Sequence, residues 1–217
     1  MNRVGKKIFL VVATAILFSG AAGAQVSTDL GTWSSVHITK SFDRAFVMAR
    51  FEHRSFDRIR ATECYFAMAG AGYRFNGWLA GDLSYEFWKI PSAGNITTHK
   101  AVASLTGTLK RDALAVSLRE KYELAFNAAG GAPGGTLRSR LRTQYGLSDI
   151  PLTPYLMFEL FNGFNGEGWI RSLHYAGAEI KISRHSTIDV FYMYHLFNKA
   201  DNVFACNILG IGYMLTL

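Results

Sequence analysis

From Leu209 to the carboxyl terminus an apolar side chain returns at every second position: Leu209, Ile211, Tyr213, Leu215 and Leu217. Successive side chains of a strand point to opposite faces, so these five residues form one continuous stripe. The face behind it carries Gly210, Gly212, Met214 and Thr216, which suit a narrow interior. An unbroken apolar row is what a strand needs when one face meets lipid. Lipid offers no partner to a backbone N–H or C=O, so such a strand belongs in a closed barrel with no free edge. The alternation recurs along the rest of the chain.

The amino terminus has the organisation of an export signal. Arg3, Lys6 and Lys7 form a basic start, Ile8 to Phe18 an apolar core, and Ala22, Gly23 and Ala24 a small-residue cleavage site. Cleavage is expected to leave residues 25–217 as one barrel domain beginning at Gln25. The apolar core is too short for a membrane-spanning helix. Losing its three basic residues lowers the net charge from +7 to +4. That charge is mild and dispersed, and gives no ground for nucleic-acid binding.

Period-two alternation predicts ten spanning strands near 43–53, 64–75, 78–90, 98–110, 112–126, 136–147, 151–162, 168–182, 185–197 and 203–217. Segment 112–126 is the clearest, with Leu114, Val116, Leu118, Tyr122 and Leu124 opposite Ser117, Arg119, Lys121 and Glu123. Glu120 is a charge on its apolar face, without explanation at this level. Segment 98–110 is the weakest, because its two faces differ little. Connections alternate between longer and tighter, the pattern of extracellular loops and periplasmic turns. Residues 30–39 read as a further strand, which would make eleven. Closed bacterial barrels normally have an even number. The expectation is therefore an all-β, antiparallel transmembrane barrel of about 10–12 strands, with 30–39 left open. A soluble barrel would reverse the faces, but the nearly continuous charged face and the aromatic residues near strand ends favour lipid outside.

With the apolar stripe outside, the lumen collects Arg50, Glu52, Arg119, Lys121, Glu123, Arg138, Arg140, Arg142, Arg171, Glu159, Glu179 and Asp189. A barrel of this size has an interior that large side chains nearly fill. Enclosed charges must pair, because an isolated buried charge is very costly. The leading expectation is a salt-bridged, largely plugged lumen. The alternative is a narrow small-solute channel with a mild anion preference, lined by Arg138, Arg140 and Arg142.

Several features resemble an uncharacterised family of bacterial outer-membrane barrels, the domain of unknown function numbered 2490. They are Trp33, the alternating Arg138, Arg140 and Arg142, Pro154 and Tyr155 with Glu159 four residues later, Arg171, Gly177 and the barrel-type terminus. The resemblance spans roughly 30–217. It implies a barrel in the outer membrane of a Gram-negative bacterium and no particular activity.

An enzyme needs a constellation. Ser172 and His174 share a face, but that face is the lipid-facing one, and neighbouring strands offer no carboxylate to orient the imidazole. A lipid-modifying hydrolase is thus the second alternative, and no catalytic residue is assigned. His37, His53 and His99 lack metal-ligand spacing, and no metal or cofactor is expected. The glycine-rich run from Gly130 to Gly135 precedes a strand and has no Lys, so it reads as a loop and not a phosphate cradle. Cys64 and Cys206 are expected on strands separated by one intervening strand, about 10 Å apart, beyond the ~7 Å reach of a disulfide. Expected partners are outer-membrane lipid, the barrel-assembly machinery acting on Leu209, Ile211, Tyr213, Leu215 and Leu217, and another envelope protein.

Overall fold

The computed structural model describes residues 28–127, 134–148, 150–164, 168–199 and 202–217. The export-signal reading, the cleavage site and most of the Gly130 to Gly135 run lie outside these residues. Eleven strands account for nearly everything described: β1 (Thr28–Phe42), β2 (Ala45–Phe56), β3 (Ala61–Arg74), β4 (Leu79–Ile90), β5 (Ile96–Arg111), β6 (Leu114–Asn127), β7 (Gly134–Tyr145), β8 (Leu152–Gly163), β9 (Gly168–Lys181), β10 (Ser186–Lys199) and β11 (Asn202–Thr216). A 3-10 turn, Pro91–Ala93, lies between β4 and β5.

The strands form one closed barrel in which sequence neighbours pair antiparallel from β1 to β11. The seam differs. β1 and β11 pair in parallel, from Thr28 opposite Ala205 to Thr39 opposite Thr216. An up-and-down chain of odd strand number has its first and last strands pointing the same way, so parallel closure is the geometric consequence. The expectation of an even number is therefore corrected. The segment 30–39 is the middle of a full-length strand that supplies the seam. Asp43 and Asp112 occupy left-handed backbone (φ 55° and 52°) in the two-residue connections after β1 and β5, a conformation Asp tolerates better than most residues.

Hydrogen-bonded pairing continues past the points where side-chain alternation fades, so the connections are shorter than the sequence suggests. One rim, called upper here, carries the start of β1, the connections 57–60 and 91–95, and the facing ends of β6 and β7, β8 and β9, and β10 and β11. The lower rim carries Leu217 and the connections 43–44, 75–78, 112–113, 146–151 and 182–185. The marked difference in loop length between rims is absent. Register shifts at Arg54/Ser55 and Phe161/Asn162 bend the sheet near the upper rim.

The outer surface is apolar: Leu118, Tyr122, Leu141, Tyr65, Tyr85, Leu209, Ile211 and Tyr213 are all exposed. Glu120, on this face, has a partner, since the Ser139 hydroxyl of β7 donates to its Oε2 at 2.6 Å. Inside, Trp33, Phe161, Leu173, Tyr175, Phe191, Met193 and Ile208 pack into one cluster. Glycines make room for it. A Cβ on Gly210 would lie 2.0 Å from the Phe191 ring, and one on Gly177 would lie 2.7 Å from that of Tyr155.

Candidate functional site: a charged lumen

Arginine–aromatic stacks frame the interior, and in Arg54–Trp33, Arg138–Phe161 and Arg171–Phe161 the two residues lie directly opposite one another on paired strands. Arg54 lies over Trp33 at 3.7 Å and over Trp88 at 4.7 Å, measured to the ring centres. Phe161 is flanked by Arg138 and Arg171 at 4.6 and 4.1 Å. Arg142 lies over Tyr155 at 4.1 Å. A guanidinium is weakly hydrated and planar, so ring faces can replace water around it.

Between the stacks runs a continuous chain of ion pairs. Lys121 of β6 reaches Glu86 of β4 at 2.6 Å and Glu123 at 3.6 Å. Glu123 also takes Lys100 of β5 at 2.7 Å and Arg138 of β7 at 3.4 Å. Arg138 continues to Glu159 of β8 at 2.6 Å. Glu159, completely buried, stands between Arg138, Arg140 at 3.6 Å and Arg119 at 3.7 Å. Five consecutive strands are linked across the lumen in this way. Separately, Glu52 accepts from Arg50 and Arg54 at 2.5 Å each. Arg142 pairs with Glu179 at 2.5 Å. The Tyr155 hydroxyl donates to Asp189 at 3.0 Å.

The twelve lumenal residues named from the sequence thus occupy the inner face. Eleven of them have an ion-pair or hydrogen-bond partner named above, and Arg171 has the Phe161 ring. Lys100 and the Tyr155–Asp189 contact were missed. The two faces of β5 differ too little to reveal Lys100; its cross-strand position opposite Glu86 does. Leu209, Ile211 and Tyr213 are exposed on the outer face, and Leu217 at the lower rim.

A family model described as "Protein of unknown function (DUF2490)" matches residues 30–204. The chain belongs to this family. No curated protein matches the sequence. Among solved structures, the NanC porin in a rhombohedral crystal form is similar to the chain. The TM-score is 0.47 and the identity 12%, over 76% of this chain and 86% of that one.

In this DUF2490 barrel Ser172 and His174 approach to 3.3 Å between Oγ and Nε2. Among the described residues the imidazole also has two ring contacts, Phe158 at 4.9 Å and Tyr194 at 6.4 Å. Nothing in that set fixes a tautomer or stabilises an imidazolium, the two tasks of a triad's third member. Cys64 and Cys206 are free, buried thiols. Two strands, β1 and β2, separate theirs, one more than the sequence suggested.

Proposed function

We propose that this DUF2490 protein is an integral outer-membrane barrel, exported by a cleaved signal, whose lumen is closed by its own side chains. It acts without catalysis, as a structural element of the envelope or as a surface for another envelope protein. The observation that carries the reading is the chain of ion pairs from Glu86 to Arg140, roofed by the buried cluster of Trp33, Phe161, Leu173 and Tyr175. Outer-membrane location is supported by the apolar outer face and by the terminal stripe. Breaking one member of such a network strands a buried charge, so the network resists opening.

A second reading, a narrow anion-favouring passage, draws on the partial solvent exposure of Arg50, Arg119 and Arg140, whose side chains are 36%, 21% and 23% accessible. Planar-bilayer conductance of the refolded protein decides between the two, with the heat-modifiable gel shift as the folding check. The closed barrel is expected to be silent. Discrete conductance steps that change in Arg140→Ala would sink the closed reading and make transport the function.

A further inference from the structure

Four cations form a block on two adjacent strands. Arg119 lies directly opposite Arg140, and Lys121 directly opposite Arg138, all on the inner face of β6 and β7. Like charges facing each other across a strand pair repel. The upper pair is neutralised: Lys121 and Arg138 share Glu86, Glu123 and Glu159, with contacts as short as 2.6 Å. The lower pair is not. Arg119 and Arg140 share one oxygen, Glu159 Oε1, at 3.7 and 3.6 Å, and that oxygen accepts no hydrogen bond from the protein. The Nε of Arg119 likewise has no protein acceptor.

Other positive charge converges here. Arg50, on the far side of the lumen, interacts electrostatically with Arg119, and all three guanidinium groups act on His37 of β1. Besides Glu159, three carboxylates moderate the charge. Glu52 takes one Arg50 nitrogen at 2.5 Å, Asp189 of β10 also acts on Arg50, and Asp82 of β4 acts on Arg119 over a longer range. The buried hydroxyls of Ser84 and Ser104, on the inner faces of β4 and β5, also lack protein partners. The result is an excess of positive charge at the Arg119–Arg140 pair, with the Ser104 hydroxyl one register row above it, opposite Lys121.

We infer that Arg119 and Arg140, opposed by Arg50, bind the oxyanion group of a small solute, a phosphate or a carboxylate, entering from the lower rim. Two guanidinium forks one strand spacing apart, about 5 Å, suit an anion with two or three oxygens, each fork giving paired N–H donors. The bound anion offsets the repulsion that the strand register imposes. Entry from below rests on the closed-lumen reading; the site itself does not.

The test uses the refolded full mature chain in non-ionic detergent, titrated with inorganic phosphate and, separately, acetate at constant ionic strength by calorimetry. Saturable one-to-one binding of at least one probe is expected. It should weaken tenfold or more in Arg119→Gln/Arg140→Gln and stay unchanged in Arg184→Gln, a cation of the lower rim outside the site. Should the double variant not fold, Arg140→Lys keeps the charge, loses the fork and should weaken binding several-fold. No saturable binding, or equal affinity in the site variants, overturns the inference. Conductance in the same preparation separates the two readings. A conducting barrel that binds phosphate keeps the site and loses the plug, and a silent barrel that binds neither probe does the reverse.

Discussion

Glu159 has no exposed surface, yet three guanidinium groups surround it. Removing one partner from a buried ion network costs about 3–5 kcal/mol, because the remaining charges lose compensation they cannot regain from water. Glu159→Gln is therefore expected to lower the unfolding free energy by that amount in a urea titration of the lipid-embedded barrel. Glu179→Gln, whose single pair with Arg142 is partly exposed, should cost clearly less. An equal loss in both would show that the linked chain has no special weight. Gly210 makes a parallel case without charge. The Phe191 ring occupies the place a methyl group would take, so Gly210→Ala overpacks the lumen at a cost of about 1–3 kcal/mol. Ser172→Ala belongs to the same scale. The non-enzymatic reading expects unchanged masses of lipid A and phospholipid in cells carrying it, and a changed mass would restore the hydrolase.

Among the elements, β1 sets the architecture. Its pairing with β11 is parallel, and parallel ladders have slanted hydrogen bonds and are slightly less stable per residue. The seam is testable by cross-linking. Ser34 lies opposite Ile211, and paired strands run about 4.8 Å apart, inside disulfide range. In a background with Cys64→Ser and Cys206→Ser, the pair Ser34→Cys and Ile211→Cys should cross-link readily on oxidation. Ser34→Cys with Tyr213→Cys, two residues out of register, should not. Equal yields would remove the parallel seam. The ends of such elements were poorly legible beforehand. Alternation identifies strands wherever the faces differ, as in β6, where Leu118 and Arg119 face opposite ways. It says little about β5, where Ala101, Ala103 and Leu105 alternate with Lys100, Val102 and Ser104. It says nothing about β1 as a seam, because pairing between the first and last strands leaves no mark in either sequence alone. The lumenal charges were legible from parity; which of them pair was not, since Lys121 with Glu86 joins residues two strands apart.

For the whole molecule, an odd strand count places the start of β1 and the end of β11 at opposite rims. Loop length does not orient the barrel, because the connections at both rims are short. Orientation then rests on two other features. The terminal stripe ends at the lower rim, the end expected inside the periplasm for a strand that guides insertion. The packed cluster of Trp33, Phe161 and Leu173 lies nearer the upper rim, while the partly exposed Arg119 and Arg140 lie nearer the lower one. A barrel inserted this way shows the end packed with Trp33, Phe161 and Leu173 to the surroundings and its arginine-lined end to the periplasm. An epitope inserted in the connection 57–60 is therefore expected to bind antibody on intact cells. The same epitope at 182–185 should bind only after the outer membrane is permeabilised. Both connections are solvent-exposed turns between strands, so insertion in either disturbs little backbone pairing. The reverse pattern would invert the barrel and turn the arginine pair toward the outside. An anion would then reach it from the medium, and the solute it accepts would have to be sought there.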